Sequence, residues 1–430
     1  MKKRLLSALC AVMLLVCAVP MASAQSGDDS RMADALTVLH LLSEDPGRDL
    51  TAPATRAQAA VLLVRLAGGE KKPDTDGWFA GFRDVPDWAR TAVNYANRRG
   101  WISGVSNVQF DPNGHLNADA WCAMLLRMLG YSDKTGDFEI SDAAAFAWRI
   151  GLTGRQLIGI LSMGDLAEAI YDALDFCYKG TETTVLSRLM DLGVCTASAA
   201  NALGLLNKDY TARQLADRYL SAAFQLSLYE TEEQVHDEVS SADASGFFIS
   251  ADGLAVTNYH SIEDSIKATA TLLNGETYEV ERVLYYDTGI DIAVIKVSRT
   301  NQSRRTTSAF NHLCLVGTAD IRPGDPVYAI GNPLGLGLAI SSGIIGSTAH
   351  ELDRYALPCI VNSADISRGS SGGALMNAHG QVIGVTSGAY TYGNNMYLAV
   401  PVDPVMAADL TVSGWTLKEV KAIEAAKGKD

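Results

Sequence analysis

Arg368-Gly369-Ser370-Ser371-Gly372-Gly373-Ala374-Leu375 places a serine in a glycine-rich turn, ahead of a short apolar run, Gln381-Val382-Ile383-Gly384-Val385-Thr386. A hydroxyl is a poor nucleophile alone and needs an adjacent base and a place for the oxyanion. Glycines around the serine permit φ values that side chains forbid. The N–H groups of Gly369 and Ser371 can then converge on one point, as an oxyanion hole requires. The same composition also makes plain loops and linkers, so the stretch gains chemical meaning only from partners elsewhere in the chain.

Two partners stand upstream. Gly253-Leu-Ala-Val-Thr-Asn-Tyr-His-Ser261 sets His260 just past an apolar strand, and Gly289-Ile-Asp-Ile-Ala-Val-Ile-Lys-Val297 sets Asp291 at the start of another. A histidine suits a base because its ordinary pKa lies near neutrality. The order is His260, Asp291, Ser371, with gaps of 31 and 80 residues. Two further stretches, Ala244-Ser-Gly-Phe-Phe-Ile-Ser250 and Ala329-Ile-Gly-Asn-Pro-Leu-Gly335, accompany them, with Thr257-Asn-Tyr-His260 the telling part of the stretch that holds His260. On these segments, in this order, the chain resembles the chymotrypsin-fold serine proteases and, within them, the HtrA/DegP-like group.

The resemblance implies two six-stranded barrels with the site in the cleft between them. It makes Ser371 the nucleophile, His260 its general base and Asp291 the orienting carboxylate. It also implies an oxyanion hole at Gly369, Ser370 and Ser371. Ser370 stands where the family has Asn or Asp, a change the backbone-donating loop should tolerate. Thr257 and Asn258 are read as shaping the turn that presents His260. Asp365, six residues before Ser371, occupies the position of the S1-floor carboxylate in trypsin-like enzymes with a basic preference, so a bias toward Arg or Lys at P1 is expected, with Ser387 and Gly388 beside it. Members of the group carry a PDZ domain after the protease and often form trimers. Here no room is seen for the former, and helical repeats occupy the end that forms the latter.

Upstream, the pattern is helical and repeats. Arg56-Ala-Gln-Ala-Ala-Val-Leu-Leu-Val-Arg-Leu66 is apolar on one face. A second copy runs from Phe82-Arg-Asp-Val-Pro-Asp-Trp-Ala-Arg90 to the helix near 118–130, and a weaker third holds Ala144 to Leu152 and Gly164 to Leu174. Units of about 45–50 residues that pair two helices around a loop suggest an array. They resemble S-layer homology (SLH) repeats, which dock on cell-wall polysaccharide. The family's Thr-Arg-Ala-Glu motif survives as Thr55-Arg56-Ala57-Gln58, while its counterparts, Asn117 to Ala120 and Met163 to Leu166, lack the arginine. The resemblance therefore points to Arg56, a potential bidentate grip on an anionic sugar substituent, and to Trp88 as wall-binding residues.

At 430 residues, with 48% hydrophobic and 20% charged, the chain has enough material for two or three packed domains. Lys2, Lys3 and Arg4 precede an apolar run from Leu5 to Val19 and an Ala22-Ser23-Ala24 cleavage site. That run of about 15 residues is short for a span, which needs roughly 20, so a cleaved signal is expected rather than an anchor. Cleavage takes the net charge from −14 to −17, which argues against nucleic acid as a partner. Cys122, Cys177, Cys195, Cys314 and Cys359 would remain, an odd count without metal-site spacing, and read as small core residues. No metal or cofactor is expected.

The fold class expected is thus multi-domain, an N-terminal all-α SLH-like array followed by an all-β chymotrypsin-like double barrel. The boundaries are a signal over 1–24, repeats and extra helices over 25–205 (repeats at 31–68, 82–131 and 137–178), a protease domain over 206–412 and a tail over 413–430. The function expected is a secreted or wall-associated serine endopeptidase acting on protein or peptide substrates in surface protein quality control or processing. The rival is a wall-binding surface protein whose barrel has lost catalysis; all three triad residues being present speaks against it.

Overall fold

The computed structural model describes residues 31–43, 49–69, 79–181, 183–206, 208–390 and 395–427. The signal segment lies outside them. Among the described residues, no helix is long and apolar enough to cross a membrane. The chain groups into two compact units, one of residues 1–128 with 158–203, the other of 129–157 with 204–430. The stretch expected as a third repeat is therefore shared between them.

The first unit is helical. Its helices include Arg56–Leu66, Asp87–Arg98, Ala118–Met128 and Met163–Ala173. Three of these begin at equivalent caps. Thr55 and Ser162 each form a capping box, with Gln58 and Asp165, and Asn117 Oδ1 accepts from the N–H of Ala120. Such caps satisfy N–H groups that the helix itself cannot. The residues just before them close a ring: Ala54 N–H donates to Leu161 O (2.8 Å), Leu161 N–H to Leu116 O (2.9 Å) and Leu116 N–H to Ala54 O (3.0 Å).

Among the described residues, the second unit carries twelve strands. The first six are β1 (Ala223–Tyr229), β2 (Ala242–Phe248), β3 (Leu254–Thr257), β4 (Lys267–Leu272), β5 (Thr277–Asp287) and β6 (Ile292–Asn301). The others are β7 (Pro326–Gly331), β8 (Ala339–His350), β9 (Cys359–Asn362), β10 (Ala374–Asn377), β11 (Val382–Ala389) and β12 (Tyr397–Pro401). They form two closed six-stranded barrels, ordered β1-β2-β3-β6-β5-β4 and β10-β11-β12-β9-β8-β7. Closure removes the unpaired edges that would template aggregation.

Alternation explains the inward faces. In β1, Phe224, Leu226 and Leu228 point to the core at period two. Phe248 stacks on Phe310 with ring centroids 4.2 Å apart and meets Phe224 at 4.9 Å. A separate apolar cluster joins the two barrels, with Phe247, Val256 and Ile292 from one against Ile330, Val385 and Val400 from the other. The apolar run that starts at Tyr219 becomes strand only at Ala223, because Ala212–Tyr219 is a helix capped by Thr211 and Leu220–Ala222 a further helical turn. The acidic stretch 230–243 holds a short helix, Glu232–Asp237, with Thr231 and Gln234 as its capping box. The tail forms a helix, Leu417–Lys427, that buries Leu417 and Val420 in the core of the first barrel.

Because the interior is close-packed, removing a ring there leaves a cavity that collapses only partly. Phe248→Ala should therefore destabilise the second unit by about 3–5 kcal/mol, read as a lowered denaturant midpoint with an unchanged slope.

Candidate active site

Asp291 is the last residue before β6 and has φ +61°, a conformation that Asp tolerates better than most side chains. Its side chain is buried and gathers donors from two chain segments. Oδ1 accepts the backbone N–H of His260 at 2.9 Å, and Oδ2 lies 2.8 Å from His260 Nδ1. Oδ2 also accepts the Ser387 hydroxyl at 2.7 Å. Burial pushes the carboxyl up, but the bonds to the His260 ring and amide and to Ser387 outweigh it and hold Asp291 below the usual carboxylate range. Asp291 is thus an anion that fixes both position and tautomer of the ring, since Nδ1 must carry the proton it donates.

His260 sits on the single helical turn Tyr259–Ile262 directly after β3. Thr257 and Asn258 before it are fully buried. Thr257 Oγ1 donates to Ser245 O at 2.8 Å, and Asn258 Nδ2 donates to the backbone carbonyl of Asp291, also at 2.8 Å. Both are holding residues, which matches the reading that they shape the turn.

Ser371 lies between β9 and β10. Gly369 has φ +91° and Gly372 φ +87°. A Cβ at Gly372 would overlap Ser245 O and Thr257 Oγ1, so the tight approach of this loop to β2 and β3 admits glycine only. The carbonyl of Arg368 accepts the N–H of Leu334 at 2.6 Å. In a trans peptide the N–H points opposite to the carbonyl, so the Gly369 N–H faces away from Leu334. Among the described residues, the N–H groups of Gly369 and Ser371 have no hydrogen-bond acceptor, whereas Ser370 N–H donates to Ser367 O at 2.9 Å. Of the three residues expected to form an oxyanion hole, Ser370 has its amide committed, whereas Gly369 and Ser371 keep unpaired N–H groups among the described residues. Ser370 instead steadies the loop, its carbonyl accepting Thr386 Oγ1 at 2.6 Å.

The Ser371 hydroxyl donates to the carbonyl of Ser387 at 3.3 Å. No hydrogen bond joins it to His260, whose Nε2 has no partner among the described residues. Catalytic contacts of this kind are often loose until substrate arrives. Ser387 itself sits where the pairing of β11 with β12 shifts register, between Thr386 and Gly388. Such a bulge re-aims a side chain. Here it turns the Ser387 hydroxyl onto Asp291, where substrate contact was expected. Gly388 beside it has open space where a Cβ would lie.

Asp365 is exposed and stands apart from this cluster: its Oδ1 accepts the Tyr397 hydroxyl and its carbonyl accepts Ser341 Oγ at 2.6 Å. Arg368 makes no ion pair with it among the described residues. In the helical unit, Arg56 is already engaged. Its Nε donates to Phe110 O (2.9 Å), its Nη2 to Ser103 O (2.8 Å), and its guanidinium lies 4.8 Å from the Phe110 ring centre. Trp88 is exposed and lines a cavity of about 370 Å³ with Asp49, Gln58, Leu62, Arg65 and Met163. Cys122, Cys195 and Cys359 are buried thiols. Among the described residues, no group of three or more His, Cys, Asp or Glu is placed to hold a metal ion.

The sequence reading missed Ser245 and Tyr355. Ser245 Oγ donates to Gly369 O (2.7 Å) and accepts the N–H of Asn332 (2.8 Å), so one hydroxyl ties the oxyanion loop to β2 and to the turn after β7. It stands within the quoted Ala244-to-Ser250 stretch, but its role depends on pairing across more than 120 residues, which no local spacing encodes.

Residues 244–385 match the family model of the trypsin-like peptidase domain. "Serine protease HTRA1A" of Danio rerio is 31% identical over 219 residues, 50% of this chain and 44% of that protein. "Probable periplasmic serine endoprotease DegP-like" of Halomonas elongata is 35% identical over 177 residues, 40% of this chain and 35% of that protein. A solved structure titled as an HtrA-type protease with a tripeptide is 24% identical, covering 46% of this chain and 62% of that one, with TM-score 0.39. The second unit thus contains a stretch that matches the trypsin-like peptidase domain and is similar to HtrA-type serine proteases, and the chain spans less than half the length of these curated relatives.

Losing the Ser245 hydroxyl would strand the buried Asn332 N–H and release Gly369 O. Ser245→Ala should lower turnover by about tenfold, a fraction of the loss seen when an oxyanion donor is removed outright. Steady-state hydrolysis of a peptide ester would show it as a fall in kcat with KM little changed.

Proposed function

We propose that this chain is a serine endopeptidase in which Ser371, His260 and Asp291 act together on protein substrates. The observation that carries the reading is the double grip of Asp291 on His260, which engages the backbone N–H and Nδ1 and leaves Nε2 as the ring nitrogen able to accept a proton. Ser371 Oγ attacks the scissile carbonyl as His260 Nε2 takes its proton. The carbonyl's electron pair moves to oxygen, where the N–H groups of Gly369 and Ser371 stabilise the charge. Collapse expels the leaving amine, which receives the proton from His260. Water then repeats the cycle on the acyl-enzyme and frees Ser371.

Active-site labelling of the full chain with a fluorophosphonate tests this. Wild type should label at Ser371 and Ser371→Ala should not. Absence of labelling in both would favour a barrel that binds without cleaving, the reading supported by the Ser371 bond to the Ser387 carbonyl.

The reading extends to specificity. Asp365 is taken as the S1 carboxylate, held in one orientation by Tyr397. Asp365→Ala should reduce the preference for Arg over Val at P1 by at least about tenfold in kcat/KM, a modest ion-pair contribution. An unchanged ratio would remove Asp365 from the specificity pocket.

For location we infer a secreted enzyme held at the cell surface. The basic-then-apolar start of the chain supports export. The three equivalent caps of the helical unit support a repeat array of SLH type. Since Arg56 is engaged internally, Trp88 and the cavity beside it are the better wall-polysaccharide contact. Self-association as a trimer and a role in surface protein quality control belong to the same reading.

A further inference from the structure

The hydrogen-bond chain at Asp291 does not stop at Ser387. Tyr355, 8% exposed, places its hydroxyl 2.9 Å from Ser387 Oγ. A serine hydroxyl has one proton, and Ser387 directs it to Asp291 Oδ2. The phenol must therefore be the donor in the outer bond. The order is Tyr355 O–H to Ser387 O–H to the Asp291 carboxylate to His260 Nδ1–H.

Backbone contacts hold the chain in register. Tyr355 N–H donates to Leu352 O (3.0 Å), and the next residue, Ala356, donates its N–H to Gly289 O (2.7 Å), two positions before Asp291. The segment ahead of β9 is thus fastened to the loop that carries the carboxylate. We propose that Tyr355 is a positioning residue for the reaction, polarising Ser387 so that Asp291 is both fixed in orientation and partly relieved of charge toward His260. The proposal rests on the triad reading above.

Donors in series strengthen one another. Removing the phenolic proton weakens the Ser387 bond to Asp291 and leaves more carboxylate charge facing the imidazole. The protonated ring gains stability, so the base is lost to protonation at a higher pH. The other titratable and charged groups facing this cluster are Glu263 and Asp264 from the His260 turn, and Arg354 and Cys359 from the Tyr355 segment. None of them is hydrogen-bonded into the chain.

The test uses the full-length protein and the rate of fluorophosphonate inactivation against pH, for wild type, Tyr355→Phe, Ser387→Ala and the double variant. Tyr355→Phe should move the acidic limb up by about 0.3–0.5 pH unit, a fraction of a direct charge contact, with its plateau within about tenfold of wild type. On the Ser387→Ala background the same change should move the limb no further, because the intermediary is gone. A limb that stays put in Tyr355→Phe overturns the proposal, even where the unfolding midpoint falls, since packing alone would explain that. An equal extra shift without the Ser387 hydroxyl also overturns it. Failure of wild type to react at all would sink the triad reading and this inference together, whereas a reactive wild type with an unmoved limb sinks this one alone.

Discussion

A carboxylate buried away from water is costly unless donors surround it, and Asp291 is such a carboxylate. Its donors come from the turn after β3 and from β11, with the segment before β9 behind Ser387. Satisfying one charge thus draws both barrels to a common point. The apolar cluster shared by the barrels supplies the adhesion, but it is non-directional. The hydrogen bonds to Asp291 supply the direction, because a shift of an ångström would leave a buried anion short of partners.

The Gly369-to-Gly372 loop obeys a different constraint, close approach. Gly372 lies against the backbone of β2, Ser371 O accepts the N–H of Ser245, and the Ser245 side chain reaches back to Gly369. The loop is held on its inner side by main-chain contacts that require the absence of a side chain. On its outer side it is held by Leu334, a residue with φ +57° and high exposure.

Much of this was legible from residue order. His260, Asp291 and Ser371 each stand beside a stretch whose composition announces a strand or a glycine turn, and nine of the twelve described strands alternate or run apolar clearly enough to be read. Three did not. β4, Lys-Ala-Thr-Ala-Thr-Leu, turns only small residues and Leu272 inward, so its period is faint. β9 and β10 are four residues each, too short for periodicity to separate them from loop. Ser387 was legible as a residue of the site but not in its orientation, because that depends on a register shift between β11 and β12. Ser245 and Tyr355 were illegible for a more general reason: a hydroxyl's partner is chosen by tertiary approach, and nothing in its neighbours along the chain records that. In the helical unit, Arg56 was read as a ligand contact from its motif, while its donors are turned to the carbonyls of Ser103 and Phe110.

The ring of Ala54, Leu116 and Leu161 has a consequence for how the chain must be made. Its third member arrives after the excursion of residues 129–157, which belongs to the other unit. During synthesis the helical unit cannot close on its own first 128 residues; it waits with an open edge until the chain returns. The excursion is thereby an insertion between the second and third members of the ring, and its residues find their own partners, such as Ser308 for Asp137, in chain made much later. The ring is therefore a long-range closure, whose loop entropy must be met before its three bonds can form.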